Sequence, residues 1–279
     1  MIKIVRVLVP CVLTAIVAAC GPSAPPAASP PAEPPPSETP VAYDTALGGR
    51  LFDKWSAEAK SAKTEGPERL KNLLGWDLRG KSGMYGPAHF DKKTAIDVDL
   101  LTWQGDVASI ADRLAKGDGA VPAYGEVLSR AQLEALAAFV VAERDGTLPR
   151  ADAVLTLTSP AAKDYALKSG GNLERGHQRI AERCARCHGA DGTQFLIDDG
   201  EYSLGTHARQ KAYEDWFKIL NGQPGTSMHR QVTGVTSAEM TQELLDILSA
   251  LCDRTRYPVG KASKPDVADG DPRCGAALR

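Results

Sequence analysis

The fold is decided by one stretch, Gly176-His-Gln-Arg-Ile180-Ala-Glu-Arg-Cys184-Ala-Arg-Cys187-His188-Gly189. Glycine and isoleucine precede the first cysteine at helical spacing, which predicts a helix running into the cysteine pair. Cys184 and Cys187 are three residues apart, so one helical turn brings both thiols to the same side, with His188 beside them. Gly189 provides the backbone freedom that ends a helix. The stretch therefore predicts a helix-borne site of two thiols and one imidazole.

Two thiols at this spacing, followed directly by histidine, point to covalent attachment of haem. The thiols add across the vinyl groups of the porphyrin to give two thioethers, and the histidine supplies the proximal iron ligand. A redox dithiol would need a βαβ context, and a zinc site would need a second ligand pair nearby. The sequence predicts neither. We expect one haem c on Cys184, Cys187 and His188.

The second half of the chain resembles the cytochrome c family in this motif, in the helix ahead of it and in the turn behind it. The resemblance implies an α-helical fold around one haem, with a methionine on the loop before the last helix as sixth iron ligand. Met228 stands in such a loop, ahead of a predicted helix over Ser237–Leu251. His229 occupies the place where the family usually has proline and is an alternative ligand, which would lower the reduction potential. His207 is a third candidate.

Residues 1–19 have the pattern of an export signal, because two basic residues precede an apolar run too short to span a membrane. Val17-Ala-Ala-Cys20-Gly21 resembles a bacterial lipobox, which implies that Cys20 is acylated and becomes the mature N-terminus. Gly21 after the cysteine favours the outer membrane by the same resemblance. Residues 20–42 are rich in proline and predict a disordered, extended tether. We expect a periplasmic protein anchored to the membrane by lipid.

Export implies an oxidising compartment, in which cysteines left over from other roles pair. Cys11 leaves with the signal, Cys20 takes lipid, and two cysteines take haem. Cys252 and Cys274 remain, and we expect a disulfide that pins the C-terminal tail to the last helix. Two independent free thiols are the alternative.

The first half carries a degenerate copy of the motif. Leu70-Lys-Asn-Leu73-Leu74-Gly75 matches the pattern C-x-x-C-H-G with leucine at both cysteine positions and at the histidine position. Gly48 and Phe52 are four residues apart, like Gly176 and Ile180 in the second half. Val121 stands where the methionine ligand would be. The repeat predicts a domain without haem, its interior filled by apolar side chains. An unrelated helical domain with a chance leucine pattern is the alternative.

The predicted fold class is all-α, with two cytochrome c-like helical domains behind the Pro-rich tether. The domains cover residues 43–150, without haem, and 168–279, with haem, and residues 151–167 connect them. Helices are predicted over Thr45–Lys60, Ser129–Ala142, Asn172–Arg183, Lys211–Leu220 and Ser237–Leu251, with one short strand at Ala153–Thr158.

Composition narrows the function classes. The formal net charge of −2 gives no basic surface for nucleic acid. No Ser/His/Asp set, phosphate loop or second metal cluster is visible, so independent catalysis is not expected. The sequence favours an electron carrier that exchanges electrons with redox proteins of the cell envelope. The alternatives are a subunit of an envelope oxidoreductase of the thiosulfate dehydrogenase type, which the resemblance allows, and a haem-based sensor.

Overall fold

Helices dominate the parts of the chain that the computed structural model describes, which are residues 43–60, 65–84, 95–157 and 165–279. This helix-rich architecture agrees with the predicted all-α class. The expected signal peptide (1–19), the tether (20–42) and Cys20 lie outside the described residues. Among the helices of the described residues, none combines the length and the apolarity needed to cross a membrane.

Nine α-helices follow one another along the described residues. They are α1 (Thr45–Glu58), α2 (Leu70–Leu74), α3 (Val107–Lys116), α4 (Arg130–Arg144), α5 (Ala151–Val154), α6 (Leu173–Arg183), α7 (Ala185–His188), α8 (Leu204–Asn221) and α9 (Ser237–Leu251). Short 3₁₀ helices at Gly80–Ser82, Leu100–Thr102 and Pro272–Ala277 complete the helical part.

Side-chain caps fix where the longer helices begin. Ser129, Ser203 and Thr236 form capping boxes at the starts of α4, α8 and α9. The predicted start of α8 at Lys211 is wrong, because the helix begins seven residues earlier, after Ser203. Lys211 is instead a kink with non-helical torsion angles (φ −135°, ψ 36°) inside the helix.

The connector between the halves contains the strands. Within the predicted strand Ala153–Thr158, the first two residues belong to α5, Leu155–Leu157 (β1) are extended, and Thr158 lies outside the described residues. This strand pairs antiparallel with Tyr165–Leu167 (β2), with Leu155 opposite Leu167. The sequence did not predict β2, which at three residues is too short to show alternation.

The two halves repeat one packing arrangement. In the first half α1 crosses α4 at Gly48, and in the second half α6 crosses α9 at Gly176. A Cβ atom on Gly48 would overlap the backbone oxygen of Ala135, and one on Gly176 would overlap that of Asp246. The two helices of each pair therefore lie closer together than any residue with a Cβ atom at the crossing would allow.

The short helix after the first helix of each half also repeats. Helix α2 ends at Gly75 (φ 74°, ψ 167°), and α7 ends at Gly189 with almost the same torsion angles (φ 82°, ψ 164°). The two short helices differ in burial. The side chains on α2, Leu70, Leu73 and Leu74, lie in the core, whereas no residue of α7 is buried.

Both halves share one hydrophobic core, and residues 42–279 form one compact unit. The rings of Phe52 and Phe139 from the first half contact the ring of Phe217 from the second, at centroid distances of 6.2 and 5.8 Å. Trp76 meets Tyr213 edge-on at 5.5 Å. The halves are thus joined by α8, whose aromatic side chains reach into the first half.

Candidate functional site

The candidate site lies where α6 ends and α7 begins. The backbone N–H of Cys184 donates to the oxygen of Ile180 at 2.8 Å, so the first cysteine closes the last turn of α6. The backbone N–H of His188 donates to the oxygen of Cys184 at 2.9 Å and closes the single turn of α7. This turn holds Cys184, Cys187 and His188 next to one another, as their spacing predicts.

The two thiols differ in their surroundings. Both are free, with Cys184 half-buried and Cys187 exposed. Burial raises the pKa of the Cys184 thiol to about 11, with a smaller opposing effect of Arg183. A redox-active dithiol needs a thiol whose pKa is lowered, so this environment counts against that alternative. It is compatible with a sulfur that forms a covalent bond to carbon.

His188 is held with one ring nitrogen inside the protein. Its Nδ1 is buried and has no hydrogen-bond partner among the described residues, while the ring as a whole is half-exposed. The ring of Phe195 meets it edge-on at 5.8 Å, and Phe195 is itself 58% exposed. Burial, more than the nearby His207, lowers the pKa of His188 and favours the neutral imidazole that a metal requires.

These residues fit a haem group. The orphaned buried Nδ1 of His188 and the half-exposed ring show that the imidazole has not found its full set of partners within the described protein. The exposed ring of Phe195 beside His188 would provide part of the apolar wall that a porphyrin needs. Cys184 and Cys187 would hold the macrocycle, and His188 would be the protein ligand of the iron.

His207 lies near His188 but is enclosed. Its Nδ1 is 2.9 Å from Oδ1 of Asp215, and its Nε2 is buried, with Oδ2 of Asp198 at 3.8 Å. Burial alone would lower the pKa of His207, but Asp215 outweighs burial and raises it. Like Nδ1 of His188, Nε2 of His207 has no hydrogen-bond partner among the described residues, so this feature does not separate the two imidazoles. The assignment of His207 as a third candidate for sixth ligand stays a prediction.

The Met228 loop, defined as residues 222–230, follows α8. Met228 is half-buried and His229 is exposed. The backbone N–H of Met228 donates to Oγ1 of Thr226 at 3.1 Å, and its oxygen accepts from the N–H of Gln223 at 2.9 Å. These bonds hold the loop in a compact turn. The assignment of Met228 or His229 as iron ligand stays a prediction.

The C-terminal tail is fastened to the second half. Cys252 and Cys274 form a disulfide with their Cα atoms 6.0 Å apart, which joins the end of α9 to the last 3₁₀ helix. Arg209 on α8 is fully buried and donates from Nε and Nη2 to the carboxylate of Asp266 in the tail, at 2.7 Å each. A bidentate pair of this kind fixes orientation as well as distance.

Sequence reasoning missed three residues around the site. Asp215 and Asp198 flank His207, and Phe195 covers one side of His188. Asp215 lies eight residues after His207 on α8, beyond the i,i+4 reach of a straight helix, so no sequence signal indicated the pair; the kink at Lys211 lies between them. Within the described residues, no group of three or more His, Cys, Asp and Glu side chains could hold a metal ion by itself.

Comparison with known proteins assigns no family. No protein-family model matches the chain, and no curated protein matches it. A solved structure of a thiosulfate dehydrogenase from Marichromatium purpuratum, in its as-isolated form, aligns with 86% of this chain and 56% of its own, at 20% identity and a TM-score of 0.22. The chain thus spans little more than half the length of that protein, and likeness at this level supports no functional assignment.

Proposed function

We propose that this chain is an exported c-type cytochrome that carries one covalently bound haem and transfers electrons at the cell envelope. The observation that carries the proposal is the contrast between the two short helices. Helix α2 buries three leucines, whereas the corresponding Cys184, Cys187 and His188, at and before α7, are half-buried, exposed and half-exposed. The motif residues of the second half are therefore more accessible than the leucines at the same positions of the first half.

The repeated geometry supports the reading of the first half as a degenerate cytochrome c-like domain. A glycine crossing of two long helices and a short helix ending at glycine occur in the same order in both halves. Val121, at the position proposed to correspond to Met228, is 1% exposed. At the positions that correspond to the two cysteines, the histidine and the methionine, this half has three leucines and a valine, all of them buried.

The residues of the second half have distinct roles in this proposal. Cys184 and Cys187 bind the porphyrin covalently, and His188 binds the iron from one side. The haem supplies one-electron redox chemistry when bound. The ring of Phe195 packs edge-on against that imidazole and shields one side of it. Met228 is the proposed sixth ligand, with His229 as the alternative on the same loop.

We further propose that the chain works close to a membrane. Residues 1–19 would direct export, Cys20 would carry lipid, and residues 20–42 would hold the folded part away from the bilayer, with the outer membrane favoured. Redox proteins of the cell envelope are the proposed partners. Metabolic labelling with a fatty acid tests this part, since a Cys20→Ala variant should lose the label and remain uncleaved.

The content of covalent haem tests the central proposal. We expect one haem per chain in a pyridine haemochrome assay on the denatured, exported protein, because thioether bonds survive unfolding. Cys184→Ala together with Cys187→Ala should abolish it. As a matched control, Cys252→Ser with Cys274→Ser removes the disulfide elsewhere in the second half and should retain the haem. Two haems per chain would contradict the role given to the first half.

Carbon monoxide distinguishes the carrier from the two alternatives. An electron carrier keeps both axial ligands through the redox cycle, so the spectrum of the reduced protein should not change under carbon monoxide. A shifted band would indicate a replaceable ligand and would favour a haem-based sensor or the subunit of an oxidoreductase that acts on a bound substrate.

A further inference from the structure

The Met228 loop is held by the first half of the chain. Its starting point is Asn221, the last residue of α8, whose backbone oxygen accepts a buried hydrogen bond of 2.9 Å from Nη1 of Arg50 on α1. Gly49, also on α1, packs against the side chain of Asn221 so closely that a Cβ atom would overlap it. The loop therefore leaves α8 from a point that α1 fixes.

The middle of the loop is held by Glu58, the last residue of α1. Its Oε2 accepts a hydrogen bond of 2.9 Å from the backbone N–H of Gly225, and its Oε1 accepts one of 2.9 Å from Nε of Arg50. Both side chains of this ion pair are largely buried. Arg50 thus binds the start of the loop directly and its middle through Glu58, which couples the two points.

The end of the loop returns to the start of α1. Arg230 donates from Nη2 to Oγ1 of Thr45 at 3.0 Å and from Nε to the backbone oxygen of Leu220 at 2.8 Å. Start, middle and end are therefore all fastened to one helix of the first half. The internal turn around Thr226 then passes this constraint to the backbone of Met228.

We propose that α1 positions the sixth iron ligand, with Arg50, Glu58 and Thr45 as positioning residues. This inference rests on the proposed function and on Met228 as the ligand. It gives the first half a role that its own lack of haem leaves open. A loop held at three points would keep the side chain of Met228 in one place, whereas a released loop would leave that side chain free to move.

The test measures how easily the sixth ligand is displaced. Exogenous imidazole is titrated into the oxidised, full-length haem protein, and the weak sulfur-to-iron charge-transfer band in the red is followed. Glu58→Ala removes a charge-assisted hydrogen bond. It should raise the displacement constant, meaning the equilibrium constant for replacement of the sixth ligand by imidazole, about tenfold. Glu58→Gln keeps an acceptor for the N–H of Gly225, so its displacement constant should lie close to that of the parent protein. Glu65→Ala, an exposed glutamate of the same half, is the matched control and should not change the constant.

Thr45→Val provides a second variant of almost unchanged volume, since it removes only the hydroxyl that Arg230 binds. It should raise the constant in the same direction. Parental constants in both Glu58→Ala and Thr45→Val would overturn the positioning role. A parent protein with covalent haem but without the sulfur band would also overturn it, and would leave the proposed cytochrome intact. A parent without covalent haem would overturn the proposed function itself, and the positioning role with it.

Discussion

Glu143 on α4 is a carboxylic acid enclosed in the core of the first half. Its Oε1 is buried and has no hydrogen-bond partner among the described residues. Burial raises its pKa to about 8, against the attraction of Arg150 and with a smaller contribution from Asp77. Because its pKa is higher in the folded than in the unfolded protein, the folded state holds the proton more tightly. Folding stability from this group is therefore lost as the pH rises from about 4.5 to about 8.

We expect Glu143→Gln to flatten this pH dependence, because an amide has no proton to lose. The variant should gain about 4 kcal/mol over the parent near pH 8 and less than about 1 kcal/mol near pH 5. Urea unfolding across this range measures the difference. The ion-paired Glu134→Gln on the same helix is the control. A gain of equal size at both pH values would show that the charge of Glu143 is not the cause.

For single residues, the sequence predicted those contacts that form between residues close together in the chain. Cys184, Cys187 and His188 lie together because one helical turn requires it. The pairing of Cys252 with Cys274 followed from counting cysteines. The environment of His207 could not be predicted, since Asp198 comes from a separate segment and reaches the imidazole only after folding. Enclosure of that ring is a property of tertiary packing.

Among the contacts between helices, the two crossings at Gly48 and Gly176 leave the least room for a larger side chain. Gly176 lies in the interior of α6, where alanine is preferred by about 1 kcal/mol on helix propensity. A methyl group there would nevertheless overlap the backbone oxygen of Asp246 and the side chain of Ala250 on α9. The steric cost of such overpacking is about 1–3 kcal/mol, so the clash outweighs the propensity.

Gly176→Ala should therefore lower the free energy of unfolding, by up to about 2 kcal/mol. Gln178→Ala, at an exposed position on the opposite side of α6, is the control and should change the free energy of unfolding by less than about 0.5 kcal/mol. Chemical denaturation of the three proteins gives both values. A stabilised Gly176→Ala protein would mean that α6 and α9 can move apart without cost.

Helix periodicity predicted α1, α4, α6 and α9 to within a few residues, because their buried faces repeat over at least three turns. Helix α3 was missed, although Asp106 caps it and Ile110 and Leu114 form an apolar stripe. The early part of α8 was missed for a different reason. The kink at Lys211 interrupts the periodicity, so only the second part has an apolar pattern long enough to be recognised.

For the whole molecule, one buried ion pair joins the halves. Asp53 on α1 contacts Nζ of Lys218 on α8, and its Oδ1 also accepts hydrogen bonds from Nη2 of Arg69 at 3.0 Å and Nε1 of Trp76 at 3.3 Å. Asp53 is completely buried and Lys218 nearly so. Removing one partner of such a pair leaves the other charge without compensation, which costs about 3–5 kcal/mol.

We expect Asp53→Asn to destabilise the protein by about 3 kcal/mol, and Asp53→Asn with Lys218→Met to recover part of that loss. Because both halves share a core, differential scanning calorimetry of the parent should show one cooperative transition. The Asp53→Asn variant should shift that transition as a unit. Two separate transitions in the parent would indicate that the halves unfold independently.

The leucines of α2 have a consequence for the order in which the protein matures. In the proposed cytochrome the thiols of α7 would have to stay accessible until haem is attached, whereas the leucines of α2 need no such step. Because Phe217 of α8 packs against Phe52 and Phe139, the first half completes its core only when α8 is in place. Hydrogen exchange on haem-free Cys184→Ala/Cys187→Ala protein should therefore show α1, α4 and α8 protected together, with α7 the least protected helix. Haem would then be attached to a molecule whose shared core is already built.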